Sequence, residues 1–183
     1  MGRLPASRAR TVGDDATRRL TAVFREHPRV VREPDGRYRL DLPNAERVVV
    51  RQLPAQLRQE LDAPDHPDLR RVFPPASNED DRLVQEYREL IGDQLLAGRL
   101  RAVETMESTV DADVLDEEQI LAWLSTVNDL RLILGTRLGV TDERQDEDLP
   151  DGDPRSQVYA LYHYLGFLED QIIEALSETL PRE

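Results

Sequence analysis

Apolar residues recur every three or four positions along much of this chain, which is the spacing of amphipathic helices. The clearest run begins after Asp116, which can cap a helix with Gln119 as its capping-box partner. Gly139 stands where a helix commonly ends. The pattern therefore predicts a helix between these residues, with an apolar side formed by Ile120, Trp123, Leu124, Val127, Leu130, Leu134 and Leu138.

Two further long helices are predicted, one before and one after this segment. The earlier one runs from about Glu79 to Val110 and follows two residues that can cap it, Ser77 and Asn78. The later one follows Asp153, has Pro in its first turn, and continues to about residue 180. The earlier helix is expected to bury Leu83, Tyr87, Leu90, Ile91, Leu95, Val103, Met106 and Val110.

The first third of the chain predicts shorter elements. Residues 15–27 have one turn-spaced apolar stripe and predict a short helix. Residues 29–41 predict a β-hairpin around the turn sequence EPDG at 33–36. Residues 43–62 predict a helix whose stripe contains Val49, Leu53, Leu57 and Leu61. Pro54 lies inside that stripe, so we expect a kink or break near Leu53.

These elements predict a mainly α fold, a helical bundle of three long helices plus shorter ones, with a small N-terminal β-hairpin. We expect a disordered tail over residues 1–14 and a single helical domain over residues 15–180. Within that domain, residues 141–153 contain seven acidic residues and predict a solvated acidic loop.

Charge is distributed unevenly along the 183 residues, whose net charge is −13. Residues 1–51 carry twelve arginines against seven acidic residues, whereas residues 52–183 carry twelve against thirty. Because an acidic body repels nucleic acid, only the N-terminal third is a candidate for DNA contact. Arg18, Arg19 and Arg25 are the candidate contacts, and a solvated tail is the alternative.

The sequence lacks residues that several kinds of catalytic and metal-binding site need. There is no cysteine, so thiolate metal sites, disulfides and cysteine nucleophiles are excluded from these residues. None of the three histidines follows a glutamate by three positions, as a di-iron bundle requires. No Gly-rich phosphate loop or nucleophile elbow is present. We therefore expect a non-enzymatic, cytoplasmic protein without cofactor, metal or membrane span.

Four polar residues interrupt the apolar centre of the helix between 116 and 139: Asn128, Asp129, Arg131 and Arg137. Asp129 and Arg131 are two positions apart, so they do not face each other on a helix and need partners on other elements. One interpretation is a partly buried polar network that fixes the register of the helices. The other is a site for a partner or ligand.

Four aromatic residues lie close together near the start of the last predicted helix: Tyr159, Tyr162, Tyr164 and Phe167. Core packing accounts for such a cluster. Tyrosine is also favoured at protein interfaces, so a homodimer contact or a groove for another protein is the alternative.

Five segments resemble an actinobacterial domain-of-unknown-function family that includes oxidative-stress transcriptional regulators, the AosR-like proteins. They are RQLPAQL at 51–57, RRVFPPA at 70–76, LLAGRL at 95–100, WLSTVNDLRLILGTRLGV at 123–140 and LYHYLGFLEDQIIEAL at 161–176. The resemblance implies a cytoplasmic helical protein of transcriptional control, with a sigma factor as one candidate partner.

The redox sensing of some family members uses a pair of cysteines, which this sequence lacks. Our leading hypothesis is therefore a regulatory protein that binds another protein without thiol chemistry. Direct DNA binding through the arginine-rich N-terminus and a small-molecule-binding bundle are the alternatives.

Overall fold

The computed structural model describes residues 27–63, 66–73, 92–140 and 153–178. Within these ranges the chain is mainly α-helical, with a small N-terminal sheet, and this confirms the predicted fold class. The elements in chain order are β1 (Val30–Arg32), β2 (Tyr38–Leu40), α1 (Asn44–Val50), α2 (Leu53–Leu61), a 3-10 helix (Pro67–Arg71), α3 (Asp93–Thr109), β3 (Val114–Leu115), α4 (Glu117–Arg137) and α5 (Arg155–Ser177).

The predicted hairpin is present as β1 and β2. The two strands are antiparallel, and Val30 lies opposite Leu40. Gly36 adopts a positive φ of 85° in the turn, a conformation that glycine reaches without steric cost. The two-residue strand β3 pairs with the other edge of β2, so the sheet order is β1-β2-β3.

The expected break in the helix over 43–62 is also confirmed. Helix α1 ends at Val50, and α2 starts at Leu53 with Pro54 in its first turn, where a missing N–H leaves no hydrogen bond unmade. The expectation that Val49 is buried was wrong, because Val49 is 38% exposed and Val50 is buried instead.

Helix α3 covers the described part of the helix predicted over 79–110, and residues 79–91 lie outside the described ranges. Val103 and Met106 are fully buried, as expected. Leu95 is 42% exposed, which corrects its assignment to the core. It lies in the first turn of α3.

Helix α4 has well-formed caps at both ends. The carboxylate of Asp116 accepts a hydrogen bond from the backbone N–H of Gln119, and the Gln119 side chain accepts one from the backbone N–H of Asp116. At the other end Gly139 has a φ of 65°, and the N–H of Val140 donates to the carbonyl of Gly135. This is a Schellman motif. Arg71 of the 3-10 helix also donates to the carbonyl of Val140, at 3.0 Å.

The core lies around α4, which packs against α3, α5, α2 and the 3-10 helix. Trp123 is fully buried, and its indole N–H donates to the hydroxyl of Thr109 on α3 at 2.9 Å. No helix within the described ranges is both long and apolar enough to cross a membrane. The predicted N-terminal tail, residues 15–26 of the helix predicted over 15–27, and the acidic loop up to residue 152 lie outside the described residues.

Candidate functional site

Asp129 is the most deeply buried of the predicted polar residues, with 1% of its surface exposed. It faces α3, where Nη1 of Arg99 donates to its Oδ1 at 2.6 Å. Nη2 of Arg99 donates to the carbonyl of Val72 at 2.7 Å, and the guanidinium lies 5.1 Å from the centre of the Phe73 ring. Burial raises the pKa of the Asp129 carboxyl, and the charge and hydrogen bonds of Arg99 only partly offset this.

Arg131 faces the opposite neighbour, α5. Its Nη1 donates to Oε2 of Glu169 at 2.8 Å, and its guanidinium lies 5.4 Å from the centre of the Tyr162 ring. Gly166 gives the guanidinium room, since a Cβ atom there would stand 3.2 Å from Nε of Arg131. Gly135 on α4 gives similar room to the Tyr162 ring, also at 3.2 Å. The two helices therefore approach closely at two glycines.

The Arg137 side chain extends toward α2 and the 3-10 helix. It donates to Oε1 of Glu60 on α2 at 2.9 Å and to Oδ2 of Asp68 in the 3-10 helix at 2.6 Å. Asn128 is half-buried, and its side chain makes no hydrogen bond with the described parts of the chain. The four predicted residues therefore do not form one site, because each of the three charged residues ties α4 to different neighbours.

A ligand-binding bundle would need a cavity lined by Asn128, Asp129 and Arg131, but two of these side chains are engaged within the protein. Arg99 pairs with the carboxylate of Asp129, and Glu169 pairs with the guanidinium of Arg131. An open groove of about 390 Å³ lies elsewhere, between α3 and α4. It is lined by Arg101, Ala102, Glu104, Thr105, Ser108, Glu118 and Ala122.

The four predicted aromatic residues all contribute to packing within the protein. Tyr159 is 8% exposed, and Tyr162 lies under Arg131 as described above. The hydroxyl of Tyr164 donates to Oε2 of Glu46 on α1 at 3.3 Å, and burial together with the Glu46 charge raises its pKa. Phe167 lies beneath the guanidinium of Arg29 at 5.9 Å. Their role at an interface stays a prediction.

Arg29 is a buried charged residue that sequence reasoning missed. Its guanidinium pairs with the carboxylate of Glu46 through three contacts of 2.9 to 3.0 Å, and its Nη1 donates to the carbonyl of His27 at 2.6 Å. Its backbone N–H donates to the side chain of Gln171 on α5 at 3.0 Å. The cluster thus joins the start of the described chain to α1 and α5.

Comparison with known protein families tests the family resemblance that the sequence indicated. The model of a domain of unknown function, DUF2017, matches residues 9–176. The chain belongs to the DUF2017 family. The resemblance inferred from the five segments is therefore confirmed.

Two relatives of this DUF2017 protein have functional names. It is 28% identical over 131 residues to the oxidative stress regulator AosR of Mycobacterium tuberculosis (strain ATCC 25618 / H37Rv), a match that covers 62% of this chain and 59% of that protein. It is 31% identical over 134 residues to a Mycobacterium leprae (strain TN) protein with a provisional form of the same name, covering 63% and 61%. The match thus spans about three fifths of these relatives. No solved structure matches.

This DUF2017 protein has no metal centre assembled within its described ranges. No group of three or more histidine, aspartate or glutamate side chains is placed there to hold a metal ion. Its best-defined charged groups pair across elements with one another. Arg18, Arg19 and Arg25, the candidate nucleic-acid contacts, lie outside the described residues. These ion pairs hold neighbouring elements of the described chain together.

Proposed function

We propose that this DUF2017 protein is a non-enzymatic regulator of stress-responsive transcription that acts in the cytoplasm by binding another protein. The observation that carries the proposal is its similarity to relatives named oxidative stress regulators. A sigma factor or another protein of the transcription machinery is the partner that we expect.

The chemistry of the described residues supports a binding role over catalysis. Asp129 and Glu46 are acidic groups that could serve as a general base if they were free, but both are engaged by buried or half-buried arginines. A carboxylate whose oxygens already accept hydrogen bonds from a guanidinium is not open to the substrate proton that a general base must reach.

A regulator built from these residues needs a signal other than thiol oxidation. The 183 residues contain no cysteine, so disulfide formation within them is ruled out on chemical grounds. We propose that the regulatory input reaches this protein through its partner, or through the level at which the protein is produced.

The test is affinity purification of the tagged full chain from its native host, followed by mass spectrometry of the co-purifying proteins. Stoichiometric recovery of a sigma factor or a polymerase subunit, together with altered expression of stress genes on deletion, is the expected result. Recovery of the protein alone with unchanged expression would reject the proposal, and sedimentation would then test a homodimer.

Direct DNA binding is the second candidate, and the charge of the N-terminal segment favours it. Residues 1–26 contain six arginines against three acidic residues. The exposed arginines of the adjacent hairpin are neutralised locally, since Arg37 pairs with Asp35 and Arg39 with Glu33. Any phosphate contacts should therefore depend on the N-terminal segment.

This second candidate predicts DNA binding that weakens steeply with salt, because each arginine that contacts a phosphate releases a counterion. Replacing Arg18, Arg19 and Arg25 with glutamine should reduce both the affinity and the salt slope. The matched control replaces Arg37 and Arg39, which are already paired, and should leave binding nearly unchanged. Equal losses in both variants, or none in either, would reject DNA binding through this segment.

A further inference from the structure

Strand β1 is held to the rest of the domain by one buried apolar residue and by polar contacts. It is an edge strand of three residues, and β2 is its one neighbour in the sheet. Val30 is its only buried residue, whereas Val31 and Arg32 are half-buried. An edge strand with so little buried apolar surface can separate from the core at lower cost than a central helix.

The polar contacts of this strand converge on Arg29, directly before it. The side chains of Arg29 and Glu46 are 9% and 15% exposed, so water screens their ion pair weakly. We call the Arg29–Glu46 pair the clasp. The backbone N–H of Arg29 is also held by Gln171, and its guanidinium lies over Phe167 of α5. The clasp therefore fixes β1 against α1 and α5 together.

The same arginine fixes the chain that precedes it. Nη1 of Arg29 donates to the carbonyl of His27, which sets the position where residues 1–26 join the domain. Those residues carry six of the arginines of the chain. The attachment point of this basic segment, His27, is thus held by the arginine of the clasp.

We propose that residues 27–33 form a strap that the Arg29–Glu46 clasp keeps closed, and that the strap opens while the helical bundle stays folded. Opening breaks the clasp, the bond to Gln171 and the β1–β2 pairing, and it frees His27, to which residues 1–26 are joined. The inference concerns how the basic segment is presented, so it holds whichever molecule that segment contacts.

Hydrogen exchange of the full chain, followed by mass spectrometry, tests the strap. Glu46→Ala should raise the exchange rate of the amides in residues 29–33 by about tenfold or more, because a charged hydrogen-bonded pair is lost. The amides in the centre of α4 should keep their wild-type rates. Glu46→Gln, which keeps a hydrogen-bond acceptor for Arg29, should give a smaller increase. The matched control is Asp35→Ala, which removes an exposed ion pair from the same hairpin and should change little.

Equal acceleration of β1 and α4 in Glu46→Ala would show that the strand opens only with global unfolding, and this would overturn the proposal. Unchanged exchange in β1 would overturn it as well. If Glu46→Ala does not fold, the wild-type protein in increasing urea supplies the test. The β1 amides should then exchange through openings with a weaker urea dependence than those of α4. The same urea dependence for both would reject the strap.

Discussion

The guanidinium of Arg131 on α4 lies against Gly166 on α5, so closely that a Cβ atom at residue 166 would stand 3.2 Å from Nε of the arginine. The arginine cannot easily move away, because Glu169 holds one side of it and the Tyr162 ring lies beneath it. A glycine that normally weakens a helix therefore enables an ion pair between two helices.

Gly166→Ala should fail to give the stabilisation that alanine usually brings to a helix. Alanine is favoured over glycine by about 1 kcal/mol in a helix interior, but here the Cβ would displace Arg131 from Glu169. We expect an unchanged or lowered free energy of unfolding, measured by urea denaturation. The control is Gly98→Ala on α3, where the nearest atom to the new Cβ is 3.8 Å away. It should stabilise the protein by about 1 kcal/mol. Similar stabilisation by both substitutions would show that Arg131 is free to relocate.

Removing one side chain of the Arg99–Asp129 pair should destabilise the protein strongly, and replacing both side chains should destabilise it less. Asp129→Ala leaves a largely buried guanidinium without its carboxylate, and we expect a loss of about 3 kcal/mol in unfolding free energy. The double variant Arg99→Met with Asp129→Leu should lose less than the sum of the single variants Arg99→Met and Asp129→Leu. Denaturant unfolding of wild type and all the variants gives the coupling energy. Additive losses would indicate that the two side chains contribute independently.

The pH dependence of stability should carry a signature of Asp129. Since its pKa is higher in the folded chain than in the unfolded chain, the folded state binds the proton more tightly. The stability this adds is complete below the unfolded pKa of about 4 and is lost as pH rises through the folded pKa. We therefore expect the free energy of unfolding of the wild type, relative to that of Asp129→Asn, to fall as pH rises through that range. Urea unfolding of both proteins at successive pH values measures this difference. A shift in favour of the wild type would mean that Arg99 lowers the pKa below its unfolded value.

The N-terminal cap of α4 should contribute measurably to stability. Asp116→Ala removes the acceptor for the backbone N–H of Gln119, and such cap losses cost about 1 kcal/mol. Gln119→Ala should cost less, because it leaves the Asp116 side chain in place as the principal cap. Thermal unfolding of the two variants checks the order. The reverse order would show that the glutamine side chain is the more important half of the capping box.

Features that depend on neighbouring residues in the sequence were predictable. The hairpin turn, the break before Pro54 and both ends of α4 follow from residues within a few positions of each other. In each case the signal is local, because a cap, a turn or a missing N–H acts on the backbone beside it. The exposure of Leu95 and Val49 depends on distant packing, which periodicity does not report.

The partners of the charged residues were not predictable in the same way. The sequence placed Asp129, Arg131 and Arg137 on one helix and indicated that they need partners elsewhere, but it could not select Arg99, Glu169 and Glu60. With 24 arginines and 37 acidic residues, many pairings are chemically equivalent until the helices are placed. Arg29 gave no signal, since its burial arises from residues 17 and 142 positions away.

The bond from Arg71 to the carbonyl of Val140 has a practical use for experiments on this protein. Val140 is 7% exposed and held by Arg71, and Asp153 accepts a hydrogen bond from the backbone N–H of Arg155, so these anchors mark the end of α4 and the start of α5. An epitope inserted between these anchors would leave the N-terminal arginines and α5 in their native covalent context. Such an internally tagged protein lets partner capture and DNA binding be measured on the same molecule, without altering the terminus on which the second activity would depend.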